Sequence, residues 1–197
     1  MHVYVQDEHI RRDPIVSRRV FGSYSLGACC ALCMQQLGSI SAKRFKSCMG
    51  RFATGVTVVT TVDASGAQHG VTVSSFNSVS LDPPLVLFSM QKSSSRFAAF
   101  SQCTEFVVNI LSDAQKDVSQ DFACNLVENW DSHDYIKLSG IPVICGSIAY
   151  FHCALYRLYD GGDHKIVVGR VLDCATLEDD DPLLHYRGSY WSINHEL

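Results

Sequence analysis

Gly70-Val71-Thr72-Val73-Ser74-Ser75-Phe76-Asn77-Ser78-Val79-Ser80-Leu81-Asp82-Pro83-Pro84-Leu85-Val86-Leu87-Phe88 is the stretch whose reading decides the fold. It opens as an alternating strand, passes through small hydroxyl residues, breaks at two prolines and resumes as an apolar strand. Proline cannot extend a hydrogen-bonded ladder, so the chain must break between the polar segment and the apolar run. A strand tail of Ser, Thr and Asn offers short polar side chains and accessible backbone, which suits a flat polar ligand lying against a sheet. A plain surface loop between two strands accounts for the same residues.

Upstream, Val56 to Val62 is rich in β-branched residues and reads as a strand, and Asp63-Ala64-Ser65-Gly66 supplies a turn. Gln68 to Val73 is then the second arm of a hairpin. Before it, Ser41 offers an N-cap to an amphipathic helix running to about Ala53, with Phe45, Cys48, Met49 and Phe52 at helical spacing. Thr54-Gly55 breaks that helix.

Downstream, Leu85 to Met90 reads as a strand buried on both faces, and a short helix with Phe97 and Phe100 on one side follows. Glu105 to Leu111 is another strand, and Ser112 with Gln115 forms a capping box for a helix through about Phe122. Residues 125 to 140 read as a polar loop with Trp130 and Tyr135 as anchors. Gly146–Tyr159 and Lys165–Cys174 form a long hairpin, and Pro182 to Tyr190 closes the chain. Strands and short helices in hairpin order predict a mainly β fold, an antiparallel β-barrel.

The 197 residues suffice for one substantial domain. With 47% hydrophobic and 18% charged residues the composition is globular, and a net charge of −4 gives no electrostatic reason to bind nucleic acid or an anionic membrane. Basic residues near the N-terminus have few interleaved aromatics and read as a solvated face or a flexible arm. No apolar run approaches transmembrane length. The opening residues lack the basic-then-apolar pattern of a secretory leader, and nine cysteines is an odd number, so reduced thiols in a cytoplasmic protein are expected. Residues 1–40 read as an N-terminal extension of unknown role before a domain over 41–197.

Several segments carry chemistry. Lys92-Ser93-Ser94-Ser95-Arg96 joins hydroxyls, two cations and a helix start, a combination that favours a phosphate. Taken alone, an N-cap with ordinary surface charges is the better explanation; the segment's place after a strand that starts beside the Ser/Thr stretch is what favours a ligand. Asp160-Gly161-Gly162-Asp163-His164 is a sufficient hairpin turn. The histidine at the strand start is what a turn does not require, and its ring nitrogen can bond a substrate or stabilise moving charge. Spacing leaves both readings open. Cys30-x-x-Cys33 lacks the second pair that zinc needs, and Asp131-Ser132-His133-Asp134 lacks supporting ligand spacing, so no metal is expected. Neither a Gly-x-Gly-x-x-Gly after a strand, a phosphate-binding Walker loop nor a nucleophile elbow is present.

Together, Met49–Thr61, Gly70–Leu85, Phe106–Leu111, Gly161–His164 with Gly169-Arg170-Val171, and Pro182–Gly188 resemble the short flavin reductases of two-component monooxygenases, which have the FMN-binding split-barrel fold. The segments stand in the family's order and cover residues 41 to about 191. The resemblance implies an antiparallel split β-barrel and an NAD(P)H:flavin oxidoreductase. It would pass a hydride from NADH or NADPH to FMN or FAD and supply reduced flavin to a separate monooxygenase. Gly70, Val71, Thr72, Val73, Ser74 and Ser75 correspond to the cradle of the flavin ring, and Thr54 is a further cofactor-binding candidate. Ser89, Met90, Gln91, Lys92, Ser95 and Arg96 correspond to the segment holding the ribityl phosphate. His164 corresponds to the catalytic histidine near the nicotinamide, and Tyr186, Arg187, Gly188 and Ser189 to a further nicotinamide-dinucleotide contact. A homodimer is the family's usual state. The alternatives are a non-catalytic flavin carrier on the same barrel, which has no need of a nicotinamide site, and a split-barrel oxidase, for which no basic substrate pocket is visible.

Overall fold

The computed structural model describes residues 40–123 and 130–193. The Cys30/Cys33 pair and most of the proposed extension lie outside them. The described residues divide at Met49, with Ile40–Cys48 in one unit and the remainder in the other. In the first, helix α1 (Ala42–Met49) starts where expected: Arg44 N–H donates to Ser41 Oγ at 3.2 Å. It ends at Met49 rather than Ala53, and none of its residues is buried.

The second unit holds every strand found among the described residues. These are β1 (Thr54–Gly55), β2 (Thr57–Val62), β3 (Gln68–Val73), β4 (Asn77–Leu81), β5 (Pro84–Gln91), β6 (Glu105–Leu111), β7 (Tyr135–Leu138), β8 (Ile141–Ile144), β9 (Ser147–Gly161), β10 (His164–Thr176), β11 (Leu184–Tyr186) and β12 (Ser189–Trp191). Helix α2 (Phe97–Gln102) lies between β5 and β6, and α3 (Lys116–Ala123) follows β6. Seven strands form one antiparallel sheet in the order β3-β2-β6-β9-β10-β5-β4. The predicted antiparallel split barrel is the fold found: the large sheet curls without closing.

Alternation explains how the core fills. Val59 on β2, Val73 on β3, Phe88 and Met90 on β5, Phe106 and Val108 on β6 and Val167 on β10 form one buried cluster with Phe100 of α2. Phe106 meets Phe88 edge-on with centroids 5.4 Å apart. Gly169 sits where a Cβ would strike the Phe106 ring and come 2.9 Å from Cys153 Cβ, so β10 needs its glycine for close packing. On the other side of β2, Val58 packs with Leu111, Phe122, Trp130 and Ile144. Strand β2 is therefore buried on both faces, and its threonines discharge their hydroxyls onto backbone. Thr60 Oγ1 donates to Pro142 O at 2.6 Å and Thr61 Oγ1 to Glu105 O at 2.7 Å.

Three expectations change. The Asn/Ser segment is itself strand β4, paired with β5 around Asp82-Pro83, with Leu81 opposite Pro84. Pro84 stands at the first residue of β5, where a missing N–H is tolerated. Strand β5 is buried on one face only, through Val86, Phe88 and Met90. Part of the expected 125–140 loop is the β7–β8 hairpin, turned by Ser139 (φ 51°) and Gly140 (φ 85°).

Candidate active site

The site lies where the curled sheet fails to close. Strand β3 is one edge of the sheet. Strand β4 pairs only as far as Leu87 of β5, which leaves Phe88–Gln91 with an open side facing β3. The two edges are joined by a side chain instead of a ladder: Ser89 N–H donates to Ser75 Oγ at 2.9 Å. The alternation of an antiparallel strand turns Gln91 N–H the same way as Ser89 N–H, while Lys92 N–H turns toward β10 and donates to Asp163 O at 3.0 Å.

A cavity of about 440 Å³ opens in this seam. One wall is Val71, Thr72 and Val73 of β3, and the opposite wall is Ser89, Met90 and Gln91 of β5. Ser93, Ser94 and Arg96 close one end, and Ala123 and His164 complete the lining. The 93–96 turn is internally bonded, with Ser94 N–H on Gln91 O at 3.1 Å and Phe97 N–H on Ser94 O at 3.0 Å. Hydroxyls and the Arg96 guanidinium are therefore its ligand-facing groups, more than bare helix amides. Arg96 Nη1 donates to Phe122 O at 3.4 Å. Partial burial lowers the Arg96 pKa from its ordinary value, yet a guanidinium stays charged.

Helix α3 holds the β3 wall. Thr72 Oγ1 donates to Ser119 O at 2.6 Å, and Ser119 Oγ lies 2.9 Å from Tyr190 Oη of β12. Gly70 lets the helix approach: a Cβ there would sit 2.5 Å from two Phe122 ring carbons. Ala123, at the end of α3, reaches the cavity without any polar or periodic signal in the sequence, and only the packing of α3 on β3 reveals it.

His164 begins β10, opposite Gln91. The preceding two-residue turn has Gly162 at φ 73°, the conformation that favours glycine. His164 Nδ1 lies 2.7 Å from Asp163 Oδ1. An ionised carboxylate only accepts, so Nδ1 carries the proton and Nε2 is the ring nitrogen left to a ligand. The same bond holds the Asp163 carboxyl below its ordinary range.

Among the residues expected to bind cofactor, the cavity brings together Val71, Thr72, Val73, Ser89, Met90, Gln91 and Arg96 with His164. Gly70 lies behind the wall, packed on Phe122. Ser74 and Ser75 form the exposed link after β3. Ser95 lines a different cavity, of about 510 Å³, beside Asp63, His69 and α2. There the Asp63 carboxylate accepts from Ser65 Oγ at 2.6 Å and stands 2.8 Å from His69 Nε2, and the Ser65 hydroxyl first, then His69, hold it far below the carboxylate range. Lys92 turns away from the seam, its Nζ donating to Gly162 O at 2.7 Å. Thr54 pairs with His185 in a separate sheet ordered β1-β11-β12. In that sheet Arg187 (φ 53°) and Gly188 (φ 78°) make the β11–β12 turn between Tyr186 and Ser189, and the Arg187 guanidinium lies 5.1 Å from the Tyr186 ring centroid.

The residues present fit a flavin. Two strand edges form a slot for a flat ring, backbone amide and hydroxyl donors face it, and a cation with two serines stands at one end for a phosphate. Comparison with known proteins agrees. The family model of the flavin reductase like domain matches residues 49–194. FMN reductase (NADH) SmoA of Agrobacterium fabrum is 46% identical over 160 residues, covering 81% of this chain and 90% of that protein. The reductase subunit HsaB of a flavin-dependent monooxygenase from Rhodococcus jostii is 37% identical over 79% of this chain and 80% of its own. The structure of Streptomyces globisporus C-1027 NADH:FAD oxidoreductase SgcE6, in complex with NAD and FAD fragments, superposes with a TM-score of 0.72 at 34% identity, over 78% of this chain and 95% of that one. The fold and site define an oxidoreductase of the flavin-dependent class. This chain belongs to the flavin reductase-like family.

Proposed function

We propose that this chain is an NAD(P)H:flavin oxidoreductase that reduces FMN or FAD in the β3–β5 seam and supplies the product to a separate monooxygenase. The observation that carries this reading is the meeting of strand-edge donors, Arg96 and His164 around one cavity. When both are bound, the nicotinamide supplies the hydride and the flavin ring accepts it.

The chain's own residues bind and orient. The 71–73 edge and Gln91 N–H hold the polar rim of the ring, and the cradle extends through Ser74 and Ser75. Ser93, Ser94 and Arg96 neutralise the phosphate. His164 directs Nε2 at the nicotinamide side, with Asp163 fixing which nitrogen carries the proton. Alignment of the two rings and electrostatic tolerance of the charge that develops are the protein's contribution to rate. The Tyr186–Ser189 turn is a further dinucleotide contact.

The enzyme works in the cytoplasm as a homodimer. Free cysteines among the described residues support a reducing compartment, and Val79 and Leu81, exposed on edge strand β4, support coverage by a second copy. Among the described residues no helix is long and apolar enough to cross a membrane.

NADH and NADPH oxidation by the purified chain under low oxygen, with and without FMN, FAD or riboflavin, tests the proposal. Oxidation that requires flavin and saturates in it is the expected result. Flavin binding without oxidation of either nucleotide would instead establish a carrier.

A further inference from the structure

We propose that Lys92 and Asp160 form a clamp that positions His164 at the mouth of the cavity, and that Lys92 is not a phosphate ligand. This rests on the flavin reductase reading of the site.

Lys92 follows β5 directly, between Gln91 and Ser93, both of which line the cavity. It points the other way. Its main-chain N–H donates to Asp163 O at 3.0 Å and its Nζ to Gly162 O at 2.7 Å, so one residue holds two consecutive carbonyls of the turn that precedes His164. Its Nζ also lies 2.9 Å from Asp160 Oδ1. That same oxygen lies 2.9 Å from Lys165 Nζ, on the residue after His164. Lys92, just past β5, and Lys165 on β10 thus converge on one carboxylate near the end of β9, and the turn is held from both sides.

The imidazole needs this support. His164 is oriented by Asp163, whose side chain is 83% exposed. An exposed carboxylate on a two-residue turn fixes a ring no better than the turn's own backbone is fixed, and Lys92 is what grips that backbone. The Lys92–Asp160 pair is itself solvated, so it adds little to global stability. Its effect falls on alignment, where a displacement near 1 Å costs hydride transfer about a hundredfold at most.

The test uses the full chain and the variants Lys92→Met, Lys92→Arg, Asp160→Asn, the Lys92→Met/Asp160→Asn double and His164→Ala. FMN and riboflavin affinities and nicotinamide kcat and KM are measured for each. Lys92→Met should lower kcat/KM about three- to tenfold while keeping the ratio of FMN to riboflavin affinity within about twofold of wild type. Asp160→Asn should act similarly, the double variant should be no worse than the poorer single, and Lys92→Arg should restore most of the rate. A selective loss of FMN over riboflavin affinity in Lys92→Met would make Lys92 a phosphate ligand and overturn the proposal. Additive single effects, or unchanged rates, would also overturn it. Unchanged turnover in His164→Ala removes His164 from the site, and the clamp with it. A loss in His164→Ala without one in Lys92→Met refutes the clamp alone.

Discussion

Ser75 Oγ stands 2.9 Å from the Ser89 main-chain nitrogen and accepts a hydrogen bond from its N–H, joining the end of β3 to β5, strands that are not ladder partners. The cavity lies along the seam these strands bound, with Ser89 in its lining. A hydroxyl on an exposed link therefore sets the width of the slot.

Replacing Ser75 with Ala removes the acceptor and leaves Ser89 N–H to water. The expected cost is about 1 kcal/mol of folding stability, read by urea denaturation, together with weaker flavin binding as the walls part. Ser75→Thr keeps the oxygen and should retain both. Flavin affinity unchanged in Ser75→Ala would separate the seam bond from the site.

Gly70→Ala tests the packing behind the same wall. The new Cβ would lie 2.5 Å from Phe122 Cδ1 and Cε1, and Phe122 is 1% exposed, in a cluster with Trp130. The ring has nowhere to go, so the helix must shift, at about 1–3 kcal/mol. Because Arg96 bonds Phe122 O, that shift should also weaken FMN more than riboflavin. A thermal midpoint equal to wild type would show that α3 yields freely.

These residues mark how far the sequence was legible. The β2–β3 hairpin, the Ser112–Gln115 capping box and the long β9–β10 hairpin follow from local patterns, and all three form. Strand β4 was hidden because Asn77, Ser78 and Ser80 carry no strand propensity of their own; pairing with β5 makes them a strand. The β7–β8 hairpin did carry a signal, the Ser139-Gly140 turn, outweighed by the polar residues before it. At the site, backbone and hydroxyl residues on β3 and β5 could be placed because ladder geometry fixes where they point. Lys92 could not, since a flexible side chain chooses among partners that only the fold brings near, here Gly162 and Asp160.

Acid should loosen the His164 turn before it unfolds the barrel. Hydrogen bonds from Lys165 and then Lys92 hold the Asp160 carboxyl down to about 2 from its ordinary 3.8. A depressed carboxyl contributes stability that is complete above its unfolded pKa and is lost as pH falls toward the folded value, so the window runs from about pH 4 to about pH 2. Asp160→Asn lacks this contribution, and its stability should fall less steeply across that window in denaturation curves at fixed salt. Parallel curves for the two proteins would show that the pairing is too well solvated to register.

Thiol reactivity supplies a last test, of burial. Cys153 lies in the central cluster with no exposed surface, and burial pushes its pKa up to about 12; burial also raises that of Cys103. A thiol held protonated and sterically covered is a poor nucleophile. Cys48, Cys145 and Cys174 are exposed. Brief treatment of the native protein with a disulfide reagent at neutral pH, followed by peptide mapping, should therefore label these three and spare Cys103 and Cys153 until denaturant is added. Labelling of Cys153 at the rate of Cys174 would mean that β9 and β10 separate readily around Gly169, where the close packing on Phe106 argues that they do not.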